Sequence, residues 1–240
     1  MKVLELFSGT GSVGKVCKKK GWDVISVDIL LPATIKADIM KFDYKQYDKD
    51  EFDIVWASPP CTFYSNLQNS WIGRPKKNKP TVTKESIELN RIEADKLVQR
   101  TLDIINYFNC DYWFMENPQT GNLKKRDVVK DLPFYDVDYC MYSDWGYKKR
   151  TRVWTNKKDF NNLLCNKKCG NMTDNKHNIN IGGGSKANNK GTSLHDRYRI
   201  PESLIFSLFE GIGEEVVVKE EVVEVVKEVK FVKEEVVVEE

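Results

Sequence analysis

The segment FDIVWASPPCTFYS, residues 52–65, joins an apolar run to two prolines and a cysteine. Its first part, Ile54–Ala57, has the length and apolar character of a strand that is buried on both faces of a sheet. Pro59 and Pro60 end this strand, because proline donates no hydrogen bond to a β-ladder and fixes its own φ angle. Cys61 follows at the carboxyl end, where an open α/β sheet binds ligands. A lone cysteine is usually a small buried hydrophobe, but this rigid turn favours a thiol that is presented for chemistry.

A second strand with a characteristic turn lies at the start of the chain. Val3–Phe7 is apolar and leads directly into a G-x-G-x-x-G pattern, Gly9–Gly14. The apolar residues that follow have helical spacing. Glycines in such a strand–turn–helix unit allow a tight turn and a close approach of the backbone to a ligand.

Acidic residues follow the next two predicted strands. Val24–Val27 ends in Asp28, at a place where an acid can accept hydrogen bonds from both hydroxyls of a ribose. A solvent-exposed turn aspartate is the alternative. Asp38 lies at the end of a third short strand around residues 37–39. Strand, glycine turn, helix, strand and acid predict a Rossmann-like α/β fold, and leave open whether the cofactor is a dinucleotide or S-adenosylmethionine.

Two further strands carry charged residues at their ends. The buried strand Tyr112–Met115 leads to Glu116–Pro118, which repeats the strand–proline arrangement above. A strand near Val137–Met141 is followed by Arg150 and Arg152, and alternate residues of a strand point the same way. Such an arginine pair suits contact with a phosphate or with the edge of a base.

The loop of residues 66–83 is predicted to be a mobile, cationic lid beside the cysteine. Its basic residues are Arg74, Lys76, Lys77 and Lys79. A long helix follows, with Thr83 as its cap and apolar residues at helical spacing through Phe108.

Residues 157–196 form a polar insert that is rich in Asn, Lys and Gly. Cys165, Cys169 and His177 lie in it, and two cysteines with a histidine are the beginning of a zinc site. Their spacing is loose and the sequence shows no fourth ligand. The prediction is therefore a recognition insert without a metal, with zinc as the alternative.

Composition and charge limit the class of protein. The 240 residues suit one α/β domain with a small appendage. No long apolar run or signal-peptide pattern is present and the six cysteines are scattered, so we expect a soluble intracellular protein with free thiols. The net charge of +2 combines +8 in residues 1–213 with −6 in residues 214–240. A basic body attracts polyanions, although coding bias toward lysine explains the charge equally well.

The segment 214–240 consists almost entirely of Glu, Lys and Val, and its valines follow heptad spacing. A helix that needs a coiled-coil partner and a disordered tail are both open, because valine is a poor helix former alone.

Taken in order, these motifs resemble those of the C5-cytosine DNA methyltransferases, especially the short variants of phages and large DNA viruses. Leu6–Gly11 is similar to the cofactor motif of that family, and Ser58–Ser65 is similar to its P-P-C-Q-x-x-S nucleophile motif. Glu116–Asn117 matches its E-N pair, and Arg150–Arg152 matches the end of its Q-x-R-x-R motif. The likeness covers residues 3–154, and Arg197–Pro201 weakly resembles a later motif.

The resemblance implies a Rossmann-like methyltransferase that uses S-adenosylmethionine, acts on double-stranded DNA in a bacterial host or a virus-infected cell, and has no membrane partner. The residues implied for the cofactor site are Phe7, Gly9, Gly11, Asp28 for the ribose, Asp38 for the adenine amino group, Ile39 and Pro59. Cys61 would attack C6 of a flipped cytosine, and Glu116 would hold N3 and the amino group of that base. Arg152, with Arg150 nearby, would contact the base carbonyl.

The chain also departs from the family pattern. Thr62 and Lys148 each stand where the family usually has glutamine, and Pro118 stands where it usually has valine. The family's Gly-Asn-Ser/Ala element near the C-terminus is missing. This loss leaves one wall of the cofactor pocket unaccounted for.

The predicted organisation has four parts. Residues 1–156 form a catalytic core and residues 157–196 a very small target-recognition insert. Residues 197–213 return to the core, and residues 214–240 form a tail. The same chemistry on RNA and a catalytically inactive binding subunit are the alternative functions.

Overall fold

The computed structural model describes residues 1–74, 80–182 and 191–213. Three of the predicted lid lysines, Lys76, Lys77 and Lys79, and the tail, residues 214–240, lie outside the described residues. The chain divides into two compact units, Met1–Phe209 and Glu210–Glu240. Of the second unit the structure describes residues 210–213.

A mostly parallel, seven-stranded sheet forms the centre of the first unit and confirms the predicted α/β fold. Its strands are β1 (Lys2–Leu6), β2 (Asp23–Asp28), β3 (Ile35–Lys36), β4 (Ile54–Ala57), β5 (Tyr112–Pro118), β6 (Phe134–Asp138) and β7 (Arg150–Thr155). Their order across the sheet is β3-β2-β1-β4-β5-β7-β6, and β7 is antiparallel to both of its neighbours. The strand order reverses between β1 and β4, so the carboxyl ends of these two strands open onto one crevice.

Three strand boundaries differ from the predictions. The third strand is short and ends at Lys36, so Asp38 lies beyond it. β5 continues through Pro118, because Glu116 to Pro118 pair with β7 after pairing with β4 has ended at Met115. β6 ends at Asp138, and the residues from Tyr139 to Met141 form a 3-10 helix.

Helices cover both faces of the sheet. They are α1 (Ser12–Lys19), α2 (Lys84–Phe108), α3 (Leu194–Tyr198) and α4 (Glu202–Leu208). Thr83 caps α2 as predicted, through a capping box with Ser86. Side chains of α2 join the core with Val55, whereas Phe209, just after α4, packs on Trp56 of the other face. Among the described helices, none combines the length and apolarity needed to cross a bilayer.

A small two-stranded sheet follows the main one. It pairs β8 (Met172–Thr173) with β9 (Lys176–His177) in antiparallel register. Asp174 and Asn175 connect the two strands with φ angles of 50° and 60°. This is the conformation of a tight hairpin turn, which Asp and Asn tolerate better than most residues.

One carboxylate is buried between β1 and α1. Glu5 is 2% exposed, and its Oε2 accepts a hydrogen bond from the backbone N–H of Gly14 at 3.2 Å. A Cβ atom on Gly14 would lie 3.0 Å from that oxygen, so glycine permits the close approach of helix and strand. Burial raises the pKa of Glu5 to about 7, although the amides of Gly14 and Val13 favour the ionised form.

Glu5→Gln is expected to raise the free energy of unfolding by about 3 kcal/mol at pH 8, but by only about 1 kcal/mol at pH 5.5. The folded-state pKa of Glu5 exceeds that of the unfolded chain, so ionisation of Glu5 destabilises the fold as the pH rises toward and above 7. Urea unfolding at both pH values measures the difference. The exposed Asp127, changed to Asn, is the control, and an equal gain for Glu5→Gln at both pH values would contradict the assignment.

Candidate active site

The glycine turn lies at the carboxyl end of β1 and borders the crevice. Phe7, Gly9 and Gly11 all have left-handed backbones, with φ angles of 55°, 55° and 67°. No atom lies within 4 Å of the place where a Cβ of Gly11 would stand, so the space above this residue is open. The backbone conformation, and not crowding, is therefore what favours glycine there.

The acidic residues predicted for the cofactor lie on the loops that follow β2 and β3. Asp28 faces the glycine turn: its Oδ2 accepts the N–H of Gly9 at 2.9 Å, and its Oδ1 accepts the N–H groups of Leu30 and Leu31 at 2.8 Å. Asp38 Oδ1 accepts the N–H of Met40 at 3.0 Å. The side chain of Ile39, in contrast, is only 5% exposed and packs in the core. Ile39 can therefore contribute to a ligand site only through its backbone.

Two polar groups at this turn have unused hydrogen-bonding capacity. The Oγ atom of Ser8 is buried and has no hydrogen-bond partner among the described residues. A buried polar atom without a partner is costly and is usually satisfied by a ligand or by water. Asp28 also keeps free lone pairs, since a carboxylate has about four acceptor positions and three are used here.

Cys61 lies just beyond the carboxyl end of β4, the strand that pairs with β1 in parallel. The segment around Cys61 is fixed on both sides. Before it, the buried Pro59 accepts a hydrogen bond from Asn117 Nδ2 at 2.8 Å. After it, the fully buried Tyr64 donates its N–H to the Cys61 carbonyl at 3.1 Å and its hydroxyl to Asp95 of α2 at 2.9 Å. These contacts explain how a half-buried cysteine is held in a defined place after the two prolines.

The first part of the predicted lid is structured. Asn66–Trp71 form a 3-10 helix, and Asn66 donates its side-chain amide to the carbonyl of Thr120 at 2.6 Å. Asn122 donates to the Asn66 side chain at 2.7 Å. No residue of this short helix is buried, and hydrogen bonds of polar side chains attach it to the residues after β5. Of the four basic residues, the structure describes Arg74 alone.

Glu116 lies in a buried polar cluster with Tyr139 and Lys149. The Tyr139 hydroxyl donates to Glu116 Oε1 at 3.2 Å, and Lys149 Nζ lies 3.4 Å from the same oxygen. The side chains of Glu116 and Lys149 are each 8% exposed. Lys149 Nζ also donates to the carbonyl of Arg197 at 3.0 Å and lies 4.6 Å from the centre of the Tyr139 ring.

The thiol of Cys61 shares the electrostatic environment of this cluster. Burial raises the pKa of Cys61 above its ordinary value, and the Glu116 carboxylate raises it further. Lys149 and Arg197 oppose this shift, because cations favour the thiolate. The structure therefore brings together the predicted residues Cys61 and Glu116, and adds two cations that the sequence analysis did not assign.

The two predicted arginines project from the other face of the sheet. In the β5–β7 register Glu116 is paired with Val153 and Asn117 with Arg152, so alternation places the Arg152 side chain opposite to that of Glu116. Arg152 binds Asp136 through Nε and a terminal nitrogen at 2.7 and 2.9 Å, and its guanidinium lies 3.4 Å from the centre of the Phe134 ring. Arg150 is exposed. Lys149, and not Arg152, therefore lies beside Glu116.

The sequence analysis missed three residues of the cluster. Tyr139 was assigned to a strand, and Lys149 was passed over between Lys148 and Arg150, although the run of basic residues before β7 is visible in the sequence. Arg197 is part of the segment with the weak motif resemblance, and its Nε atom is buried without a hydrogen-bond partner in the described part of the chain. The N–H of Ile200 donates to Ser12 Oγ at 3.1 Å, which ties this segment to the start of α1.

A viral protein is similar to this chain in sequence, and solved methyltransferase structures are similar to it in fold. The chain is 40% identical over 220 residues to a protein of Frog virus 3 (isolate Goorha) named "Probable DNA (cytosine-5)-methyltransferase", over 88% of this chain and 99% of the relative. Two similar solved structures are the Entamoeba histolytica methyltransferase EhMeth (18% identity, TM-score 0.47, 69% of this chain and 55% of that one) and the S. pombe Dnmt2 methyltransferase (15%, 0.41, 66% and 51%). The chain spans about half the length of these solved structures. No known protein-family profile matches the chain.

Proposed function

Because the chain belongs to the DNA (cytosine-5)-methyltransferase family, we propose that it transfers a methyl group from S-adenosylmethionine to C5 of a flipped cytosine in duplex DNA. The observation that carries this proposal is the buried cluster in which Cys61, Glu116 and Lys149 act on one another. The cluster belongs to the same edge of the sheet as the glycine turn, so methyl donor and base would meet there.

Cys61 would act as the nucleophile. Its sulfur attacks C6 of the cytosine after the thiol has lost its proton, and the new S–C6 bond makes C5 electron-rich enough to accept a methyl group. Loss of the C5 proton to a base then expels the sulfur and restores the aromatic ring. The raised pKa of Cys61 means that deprotonation costs free energy, and Lys149 and Arg197 reduce this cost by stabilising the thiolate.

Glu116 would bind the N3 and amino edge of the base and draw electron density away from C6. A carboxyl group can do this only if it keeps a fixed orientation. Tyr139 and Lys149 supply that orientation through contacts at 3.2 and 3.4 Å with the same carboxyl oxygen. Tyr139 and Lys149 therefore act on Glu116 as positioning residues.

The residues predicted for the cofactor site would hold the methyl donor. S-adenosylmethionine, when bound, supplies an electrophilic methyl group. Asp28 would accept hydrogen bonds from its ribose and Asp38 from its adenine amino group, and the open turn at Phe7, Gly9 and Gly11 lets the backbone approach it. Pro59 and the backbone of Ile39 complete the proposed set. The unpartnered Ser8 hydroxyl supports this location of the site.

Duplex DNA is the proposed polyanionic partner, and residues 157–196 are proposed to recognise its sequence. The full-length protein, incubated with S-adenosylmethionine labelled in the methyl group, should produce labelled 5-methyl-2′-deoxycytidine from duplex DNA of random sequence. Labelled 5-methylcytidine from tRNA alone would assign the chemistry to RNA. No product from either, with S-adenosylmethionine still bound, would indicate an inactive binding subunit.

A further inference from the structure

Four side chains outside the active site converge at one place. They are Cys140, Cys165, Cys169 and His177, and their sulfur and nitrogen atoms all lie within 4.8 Å of one another. The sequence analysis had found three of these residues in the polar insert and no fourth ligand. Cys140 supplies it from the 3-10 helix after β6.

The distances fit a tetrahedral metal site. In zinc sites Zn–S is about 2.3 Å and Zn–N about 2.0–2.1 Å, so the S–N edges of a tetrahedron are roughly 3.5 Å. The Nε2 atom of His177 lies 3.4 Å from Cys169 Sγ and 3.7 Å from Cys165 Sγ. Three sulfurs and one imidazole nitrogen form a ligand set that selects zinc over the hard cations Mg²⁺ and Ca²⁺.

The backbone around the cysteines is shaped to present their sulfur atoms. Lys167 has a φ angle of 68°, which turns the chain between Cys165 and Cys169, and its N–H donates to Cys165 Sγ at 3.4 Å. Backbone N–H groups that point at sulfur stabilise thiolates, which are the form that binds metal.

Two further elements bring the other ligands in. The tight hairpin of β8 and β9 ends in His177 and turns its ring toward the cysteines. Asn171 donates from its side-chain amide to the carbonyls of Cys140 and Ser143 at 2.9 and 2.8 Å. Asn171 is 6% exposed, so this is a buried support that fixes the insert against the segment after β6.

We propose that Cys140, Cys165, Cys169 and His177 bind one structural Zn²⁺ ion that cross-links the insert to the segment between β6 and β7. Binding releases the protons of the three thiols, and His177 coordinates through Nε2 as a neutral ring. No oxidation or reduction is involved. All four positions belong to the protein, so this is a closed, structural type of site.

The zinc site would also hold the frame of the active-site cluster. Cys140 directly follows Tyr139, whose hydroxyl contacts Glu116. On the other side, the carbonyl of Cys165 accepts a hydrogen bond from Lys148 Nζ at 3.4 Å, and Lys148 directly precedes Lys149. The metal would thus help to fix Tyr139 and Lys149, the two residues that contact Glu116, without touching the substrate.

Metal analysis of the full-length protein tests the proposal directly. Protein produced with zinc in the medium and exchanged into metal-free buffer should contain about one zinc ion per chain by elemental mass spectrometry, and its Co²⁺ form should show the visible absorption of a tetrahedral thiolate site. Cys169→Ser and His177→Ala should each lower the zinc content at least about tenfold. Cys110→Ser, a change of a half-buried cysteine outside the cluster, should leave it unchanged.

His177→Cys guards against variants that lose zinc only because they fail to fold. This change keeps four tetrahedral ligands, so the protein should still carry about one zinc ion per chain. Wild-type protein that stays metal-free when folded and titrated with Zn²⁺ would overturn the proposal. Full zinc content in folded Cys169→Ser protein, equal to that of Cys110→Ser, would overturn it as well.

Discussion

Cys61→Ser should lower the rate of methyl transfer by about 10³-fold or more, because an alcohol is far from ionisation at neutral pH and is a poor nucleophile toward C6. Serine is nearly the same size, and Cys61 is only half-buried, so the fold should be retained. The measurement is the initial rate of incorporation of labelled methyl groups into duplex DNA at saturating cofactor.

Two controls isolate the role of the Cys61 sulfur. Cys110→Ser removes another half-buried thiol, far from the proposed chemistry in the sequence, and should keep nearly the wild-type rate. Binding of S-adenosylmethionine to Cys61→Ser protein should also persist, because the proposed cofactor residues are unchanged. A Cys61→Ser protein that methylates DNA within a few-fold of the wild-type rate would rule out nucleophilic catalysis by this residue.

Lys149→Met should lower the rate of methyl transfer by about 10²-fold, which is the second largest effect expected. Lys149 contacts Glu116 and favours the thiolate of Cys61, so its loss removes an orienting contact and a nearby positive charge. Arg152→Met is the comparison, because Arg152 is bound to Asp136 on the opposite face of the sheet. Its effect on the rate should be within a few-fold.

The pH dependence of Cys61 reactivity separates an electrostatic role of Lys149 from a merely structural one. Burial raises the pKa of the Cys61 thiol, so its alkylation by iodoacetamide should become faster throughout the rise from about pH 6 to about pH 9. Lys149 lowers this pKa, so Lys149→Met should move the profile to higher pH, and Lys149→Arg should restore it. Peptide mass spectrometry follows Cys61 alone. An unshifted profile in Lys149→Met would contradict the electrostatic role of Lys149. A larger loss of rate in Arg152→Met than in Lys149→Met would assign the role to Arg152.

Local sequence patterns were sufficient for the elements that border the crevice. The strand–turn–helix unit from Val3 to Gly14 and the helix that starts at Thr83 depend on short-range features, namely glycine backbone freedom, hydrophobic periodicity and a capping hydroxyl. The same is true of Cys61, because the two prolines that precede it end the strand regardless of what packs around it.

The misassigned residues depend on contacts between distant parts of the chain. β5 extends through Pro118 because a strand more than thirty residues later pairs with it, and that register alone decides which face Arg152 occupies. Alternation within Arg150–Arg152 predicts that the two side chains share a face, but not which face. Cys140 could not be recognised as a fourth ligand, because only the folded hairpin brings His177 to it.

A covalent trap measures the central chemical step most directly. Duplex DNA of random sequence in which 5-fluorocytosine replaces cytosine offers no proton at C5, so the adduct formed by attack of Cys61 on C6 cannot resolve once C5 is methylated. With S-adenosylmethionine present, the full-length protein should migrate with the DNA on a denaturing gel, and peptide mapping should place the attachment at Cys61. Cys61→Ser protein should form no such complex. A protein that methylates ordinary DNA at C5, yet gives no covalent complex with the fluorinated duplex, would contradict the account.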